Sequence, residues 1–240
     1  METYHIKQLD PQKAAKDLEE IELLKQEMSD LSLLDVENPS SLLMNQPISE
    51  SEINLTFGGS CGAPGSDRVS ASMLDLADRD SLSLCLFLIF NKLWKAGTFL
   101  DKWKEEIRAI LSKPGKSSYH HCHAYRTISL TDVLGKRYEK ISCRRLVAVL
   151  ESQGFDVNQY AYLKERSATQ AISLFIEVVS NSLKSGNLCG AVFFDFSDAF
   201  GSVNRARLLS KLVHDFGISG KLFLVLCDFL SDRKANLKIA

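Results

Sequence analysis

Most of the chain alternates apolar and polar residues with the spacing of amphipathic α-helices. Apolar residues recur every three or four positions, so that one face of each segment can be buried. This pattern predicts helices over residues 1–30, 70–96, 132–153, 167–184, 205–216 and 221–230. Ser167 and Gln170 fit a capping box at the start of the fourth helix, and Gly217 ends the fifth.

Short apolar runs predict β-strands in two further places. Residues 105–111 and 125–130 are short and partly alternating, and the turn-rich segment between them predicts a β-hairpin with a long, basic tip. Residues 190–196, Gly-Ala-Val-Phe-Phe-Asp-Phe, predict a buried strand. Residues 31–51 are rich in Ser, Asn and Pro and predict a linker, and the glycines of residues 53–67 predict a loop. The pattern as a whole indicates an α+β fold.

Charge is unevenly distributed along a chain whose formal net charge is −1. Residues 1–52 hold 12 acidic residues and 4 lysines, which gives −8. Residues 102–145 hold 11 Lys and Arg against 4 Asp and Glu, which gives +7. The basic block is interpreted in two ways, as a solvated helix face or as a surface for phosphates.

Cysteine usage and hydropathy bear on the compartment. The six cysteines are scattered and form no Cys-x-x-Cys pair, which predicts reduced thiols in an intracellular protein, nuclear or cytoplasmic. The longest apolar stretch, residues 82–90, is too short to span a bilayer, and the start lacks the pattern of a signal peptide. We therefore expect no membrane partner. A zinc site at residues 120–123, His-His-Cys-His, is a weaker alternative than a polar loop, because no second ligand cluster accompanies it.

Asp195 follows the apolar run of residues 190–194 and is a candidate for chemistry. A carboxylate among apolar residues is costly unless it is paired or bound to a metal. Mg²⁺ prefers hard oxygen ligands, and two-metal phosphoryl transfer relies on carboxylates. One interpretation makes Asp195 and the Phe196 carbonyl Mg²⁺ ligands. The other makes Asp195 a cap for the next turn.

The segment Phe194–Asn204, Phe-Asp-Phe-Ser-x-Ala-Phe-x-Ser-Val-Asn, resembles motif A of the reverse transcriptases of non-LTR retrotransposons, the jockey-like and related long interspersed elements. Further segments resemble that family in the same order, over roughly residues 53–240. They are residues 63–67, 94–116, 125–130, 134–146, 159–167 and 217–233. The resemblance implies the fingers of a right-hand polymerase, mostly helical with a basic hairpin, followed by the first part of the palm.

The resemblance also implies roles for individual residues. Asp195 would bind catalytic Mg²⁺ together with Phe196, and Phe200 would be the steric gate that excludes a 2′-hydroxyl. Contacts to the triphosphate of the incoming deoxynucleotide would come from Arg126 and from Lys113 or Lys116, since Arg and Lys bind phosphate oxygens. The template path would be lined by a basic helix with Lys136, Arg137, Lys140, Arg144 and Arg145. The implied partners are an RNA template, a DNA primer and a deoxynucleoside triphosphate.

The implied organisation has three parts. Residues 1–52 form an acidic helix and linker, residues 53–185 a fingers-like region and residues 186–240 the start of a palm. The family's motif B and Asp-Asp turn are expected after Ala240, so the 240-residue sequence is expected to be incomplete and inactive as a polymerase by itself. Two alternatives stay open: a non-enzymatic nucleic-acid-binding remnant and a translated pseudogene fragment.

Several positions depart from the family pattern. Gly201 stands where the family usually has Asp, and Thr127 where it has Pro. Arg68 and Glu165 stand where it has Gly. The last two are expected to be strained if their loops require positive φ, because residues with a Cβ resist that conformation.

Overall fold

A computed structural model describes residues 11–31, 44–58, 62–196 and 199–238. Its contacts divide the chain into two compact units, residues 1–149 with 204–240 and residues 150–203, and each is described here by itself. The architecture is α+β, mostly helical with one small sheet, which confirms the predicted class. In the part of the chain described, no helix has the length and hydropathy needed to cross a membrane. The three-part organisation stays a prediction.

The described residues form eight helices that we label in chain order. They are α1 (Pro11–Leu31), α2 (Glu50–Asn54), α3 (Ala71–Asp75), α4 (Arg79–Ala96), α5 (Val133–Gln153), α6 (Ala168–Lys184), α7 (Arg205–His214) and α8 (Gly220–Leu230). The strands are β1 (Glu105–Ser112), β2 (Tyr125–Leu130) and β3 (Lys234–Lys238). Short 3-10 turns, Asp101–Lys104 and Cys122–Ala124, precede β1 and β2.

The sheet has the order β2-β1-β3. β1 and β2 are antiparallel, with Ile107 opposite Leu130 and Ser112 opposite Tyr125, which confirms the predicted hairpin. β3 pairs with β1 in parallel, and Lys234 lies opposite Glu105. The sequence analysis did not predict β3, because Lys-Ala-Asn-Leu-Lys has neither an apolar run nor a strand-like composition.

An aromatic cluster forms the centre of the first unit. The Tyr138 ring of α5 lies 5.2 Å from the Phe90 ring and 6.0 Å from the Trp103 ring, between centroids. Gly135 allows the close approach of α5 to Trp103, since a Cβ at this glycine would lie 2.9 Å from Trp103 Cγ. The cluster therefore fixes α5 against α4 and the turn that precedes β1.

The N-terminal part of the first unit departs from the predicted linker. Helix α1 buries Ile21 and Met28, and its Asp17 accepts a hydrogen bond from the Asn204 side chain at 3.0 Å. Met44 and Ile48 are buried as well, and α2 begins at Glu50, so the linker prediction is wrong for residues 44–51. Residues 32–43 of that prediction, and residues 1–10 of the first predicted helix, lie outside the described residues.

The predicted helix over residues 70–96 is two helices. α3 ends at Asp75 and α4 begins at Arg79. Asp78 separates them, because its side chain accepts a hydrogen bond from the Ser81 backbone N–H at 2.9 Å and so caps α4. The apolar spacing runs through this break, which is why periodicity alone missed it.

The second unit confirms one prediction and corrects another. Ser167 and Gln170 form the predicted capping box at the start of α6. The predicted strand over residues 190–196 is wrong, since these residues form no strand and are exposed. A strand requires a hydrogen-bonded neighbour, and the described residues of this unit include no other strand.

Candidate nucleotide and nucleic-acid binding site

The hairpin brings two of the predicted phosphate ligands onto one face. Arg126 lies opposite Leu111, and strand alternation puts Lys113 on the same face as Leu111. The Lys113 N–H donates to the Ala124 carbonyl at 2.8 Å, which prolongs the antiparallel pairing beyond β1. Arg126 is exposed, Lys113 is half-buried, and Lys116 is exposed in the turn.

Two tyrosines give the hairpin tip a defined shape. The Tyr119 hydroxyl donates to the Lys113 carbonyl at 3.0 Å, and the Tyr125 hydroxyl donates to the Tyr119 carbonyl at 3.0 Å. The two rings meet edge to face, with their planes at 63° and their centroids 6.0 Å apart. These contacts fold the turn back on its own stem, so the backbone that carries Lys113 is fixed.

The base of the hairpin is anchored by a buried cation. Lys104 Nζ lies 2.9 Å from Asp228 Oδ1 and 3.0 Å from Asp101 Oδ1. The second oxygen of Asp228 accepts the Phe99 N–H at 2.6 Å. Burial lowers the pKa of Lys104, but hydrogen bonds and charge from Asp228 and Asp101 outweigh it, so the pKa is raised. The ammonium therefore stays charged and joins α8 to the residues that precede β1.

Arg145, on the predicted nucleic-acid face of α5, is engaged inside the protein. Its Nε and one Nη2 donor bind the Glu52 carboxylate at 2.7 and 2.8 Å. Its other three donors reach the backbone carbonyls of Met44, Gln46 and Pro47. All five guanidinium N–H groups thus have acceptors. The guanidinium also lies 4.6 Å above the Trp94 ring, so Arg145 fastens residues 44–52 onto α5.

Arg137 is buried too, with 2% of its surface exposed. Its guanidinium lies 4.3 Å above the Phe57 ring, and Nη2 lies 3.9 Å from Asp75 Oδ1. Nε and Nη1 have no hydrogen-bond partner among the described residues. A buried donor without an acceptor lowers the stability of the fold, so Arg137 packs in the interior with only part of its hydrogen-bonding capacity used.

The remaining basic residues of α5 lie at or near the surface. Lys136 is half-buried and its Nζ donates to the Ala63 carbonyl at 2.8 Å, which holds the glycine-rich loop. Arg144 is exposed and its Nη2 donates to the Leu55 carbonyl at 3.1 Å. Lys140 is exposed. Lys140 and Arg144 therefore offer the accessible positive charge of this helix, while Arg137 and Arg145 do not.

The two predicted positive-φ positions have that conformation. Arg68 has φ 59° and Glu165 has φ 63°. Arg68 follows a tight loop in which its N–H donates to the Gly65 carbonyl at 3.2 Å. Gly65 packs on the start of α5, since a Cβ there would come closer than 3.0 Å to Asp132. The strain expected from the sequence is therefore present at both sites.

The segment that resembles motif A lies in the second unit as far as Val203, and its described residues 194–196 and 199–203 are exposed. Asp195 and Phe196 belong to no helix or strand, and Phe200 lies in a turn. The neighbouring Asp198 lies outside the described residues. Among the residues described, no three His, Cys, Asp or Glu side chains are placed to hold a metal ion. The role of Asp195 and the Phe196 carbonyl as Mg²⁺ ligands stays a prediction.

One contact at motif A was not predicted from the sequence. The Tyr162 ring meets the Phe200 ring with centroids 6.4 Å apart and planes at 82°. Tyr162 belongs to the segment Gln159–Tyr162 that carries part of the resemblance, but a shared motif does not show which residues touch.

This chain matches a known protein family over a segment that contains β2, α5 and the residues that resemble motif A. The family described as reverse transcriptase (RNA-dependent DNA polymerase) matches residues 111–238, from the end of β1 through β3. Two relatives are from Drosophila melanogaster. The probable RNA-directed DNA polymerase from transposon X-element is 28% identical over 151 residues, which cover 62% of this chain and 16% of the relative. The probable RNA-directed DNA polymerase from transposon BS is 26% identical over 178 residues, which cover 74% of this chain and 19% of the relative.

The chain thus spans less than a fifth of the length of either relative. The family match nevertheless covers more than half of the 240 residues. The chain belongs to the reverse transcriptase family and is homologous to the RNA-directed DNA polymerases of Drosophila non-LTR transposons.

Proposed function

We propose that this chain supplies the part of a non-LTR retrotransposon RNA-directed DNA polymerase that binds the incoming nucleotide and the template. The observation that carries the proposal is the hairpin register. It sets Arg126 and Lys113 on one face of the sheet, inside the segment matched by the family.

The hairpin cations suit a triphosphate. Arg126 offers a planar fork of donors for phosphate oxygens, while Lys113 and Lys116 act as point charges on flexible stems. The tyrosine contacts at the tip fix the backbone under Lys113, so less entropy is lost when phosphate binds. The three cations would therefore hold the phosphates.

The template would be held by the accessible charges of α5. Lys140 and Arg144 are exposed, and contacts from such residues to backbone phosphates carry no sequence information. That property suits a polymerase, which must copy any template. Arg145 and Arg137 would act indirectly, by holding α5 and the segments around it in place.

Motif A would contribute one carboxylate and one shape-selective ring. Asp195 would be a Mg²⁺ ligand, and the metal when bound would neutralise phosphate charge. Phe200 would lie near the sugar and exclude a 2′-hydroxyl. Because two-metal transfer needs more carboxylates than Asp195, we expect the 240-residue chain alone not to extend a primer.

Equilibrium binding of dATP in the presence of Mg²⁺ tests the triphosphate role. We expect Arg126→Ala to weaken binding about 10-fold or more, because a charge-assisted hydrogen bond is worth roughly 1.5–3 kcal/mol. Arg108→Ala is the matched control, since Arg108 lies opposite Ser129 on the other face of the same hairpin. Equal losses in the two variants, or none in either, would contradict the proposal.

A second candidate function is non-enzymatic nucleic-acid binding, which the +7 charge of residues 102–145 favours. It predicts salt-sensitive binding of single-stranded RNA without selective dATP binding. The Asp195→Asn variant separates the two candidates. A polymerase-derived nucleotide site should lose Mg²⁺-dependent dATP affinity in this variant, whereas a simple basic surface should not change.

A further inference from the structure

The ring pair at motif A is not part of a core. Tyr162 is 90% exposed and Phe200 is 82% exposed. Their centroid distance of 6.4 Å and interplanar angle of 82° are those of an edge-to-face pair. The pair therefore lies at the surface, and both rings stay largely open to solvent.

The backbone of Tyr162 is strained. Its φ of 61° lies in the left-handed region, which is unfavourable for a residue with a Cβ and especially for a bulky one. Strain of this kind persists only where the surroundings enforce it, and it is concentrated at functional sites. Tyr162 therefore combines a strained backbone with a ring contact to Phe200.

Arg166 enforces the conformation of this loop. Its Nη1 lies 3.1, 2.8 and 2.6 Å from the carbonyl oxygens of Asp156, Val157 and Gln159, so its two N–H groups are shared among three acceptors. Its guanidinium lies 5.8 Å from the Tyr160 ring centroid. The three carbonyls are gathered around one cation, so the turn before Tyr162 has a fixed shape.

Besides the contacts of Arg166, two hydrogen bonds from glutamine side chains hold this loop. The Gln159 side-chain amide donates to the Ala161 carbonyl at 3.0 Å, immediately before Tyr162. Gln170 Nε2 reaches the Glu165 carbonyl at 3.4 Å, and Gln170 also belongs to the capping box of α6. The loop is therefore tied to the first turn of α6. A ring carried on such a loop can hold its neighbour in place.

We propose that Tyr162 is a positioning residue that fixes the orientation of the Phe200 ring and thereby sharpens selection of deoxynucleotides over ribonucleotides. This inference rests on the proposed function, in which Phe200 excludes the 2′-hydroxyl. A ring that must reject one oxygen atom has to keep its position closely. An exposed Phe200 without Tyr162 would sample several rotamers.

The ring contact is tested first by fluorine NMR of the full chain labelled with 4-fluorophenylalanine. The Phe200 resonance is assigned by its loss in Phe200→Leu. We expect Tyr162→Leu to shift and narrow this resonance, while Tyr162→Phe preserves its position. Val157→Ala, at an exposed residue of the same loop, is the control for general loop disturbance. An unchanged Phe200 resonance in Tyr162→Leu would overturn the inference.

The consequence for selectivity is tested by competition between dATP and ATP for the chain. We expect Tyr162→Leu to reduce the preference for dATP about 3- to 10-fold, mainly through tighter ATP binding, as the loss of an edge-to-face ring pair suggests. Tyr162→Phe should keep the preference. An unchanged preference despite a shifted Phe200 resonance would show that Tyr162 only packs. A wild-type chain that binds neither nucleotide would overturn the proposed function, while the resonance still decides the ring contact.

Discussion

Two arginines, one in each unit, each bind three backbone carbonyls, but one does so in the core and the other in an exposed loop. Arg145 binds the carbonyls of Met44, Gln46 and Pro47, adds the Glu52 carboxylate, and lies on the buried Trp94 ring. Arg166 binds three carbonyls of its own loop and lies near the partly exposed Tyr160 ring. The same side chain thus fastens a core segment in one unit and shapes an exposed loop in the other.

The two units differ in the same way in their apolar side chains. The first unit buries the aromatic cluster around Tyr138, whereas no residue of α6 in the second unit is buried. Burial of a large apolar side chain contributes about 1.5–3 kcal/mol. We therefore expect the first unit to contribute most of the free energy of unfolding, and contacts in the second unit to affect mainly local structure.

The largest expected contrast is between two phenylalanines. Phe90 is completely buried and Phe193 is 80% exposed. Phe90→Ala should lower the free energy of unfolding by about 3–5 kcal/mol, because it leaves a cavity in the aromatic cluster. Phe193→Ala should change it by less than about 0.5 kcal/mol. Urea unfolding followed by tryptophan fluorescence measures both, and similar losses would contradict the contrast between the units.

The arginine pair should show the next largest difference. Arg145→Ala should cost about 3 kcal/mol, because it leaves the Glu52 carboxylate and three carbonyls without their donor. Arg166→Ala should cost about 1 kcal/mol or less in global stability. Amide hydrogen exchange of residues 155–166 should nevertheless rise in Arg166→Ala. A global loss as large as that of Arg145→Ala would mean that the loop supports the core.

Replacing the strained residues by glycine should change the stability by a smaller amount, and the change should be stabilising. Arg68→Gly and Glu165→Gly relieve a positive φ at 59° and 63°. Because glycine adopts this region without penalty but loses more entropy on folding, we expect a net gain of about 0.5–1 kcal/mol at each site. The gain from Arg68→Gly should appear in urea unfolding, because Arg68 lies in the first unit. The gain from Glu165→Gly should appear only as slower amide hydrogen exchange in its own loop. Lys164→Gly, at a neighbour without positive φ, should destabilise its loop.

The smallest expected effect is the dependence on pH through Glu52. Burial raises the pKa of Glu52, but hydrogen bonds from Arg145 and Ser49 outweigh it, so the pKa lies below its usual 4.5. A lowered carboxyl pKa stabilises the fold above 4.5, and this contribution is lost as pH falls through the lowered value. The stability difference between wild type and Glu52→Gln should therefore be full at pH 7 and shrink below pH 4.5. A stability difference that grew as the pH fell would contradict the lowered pKa of Glu52.

Much of the fold was predictable because its signals are local. The hairpin, α5, α6 and the α6 capping box follow from turn residues and apolar spacing within each segment. β3 and the break before α4 depend on tertiary pairing and on one capping side chain, so periodicity did not show them. The strand expected over residues 190–196 had the right composition, but strand formation depends on a neighbour that composition does not specify.

The candidate site could likewise be predicted only in part. Arg126 and Lys113 could be placed on one face from the hairpin register that the sequence predicts. Arg145 and Arg137 could not be distinguished from Lys140 and Arg144 by charge, since all four lie on one basic helix. Their burial depends on Trp94, Glu52 and Phe57, which are distant in sequence and have no pairing signal.

The central claim is that the hairpin cations bind the triphosphate of the incoming nucleotide, and the binding of dATP at several salt concentrations tests it most directly. The account predicts that a triple variant, Lys113, Lys116 and Arg126 each changed to Gln, loses most of its dATP affinity and most of the salt dependence of that affinity, because charge-assisted contacts to the phosphates are removed. The matched control changes three exposed basic residues elsewhere, Lys92, Lys184 and Arg207, to Gln, with the same change in net charge. If both triple variants bind equally well, affinity follows net charge alone and the assignment of the hairpin is wrong.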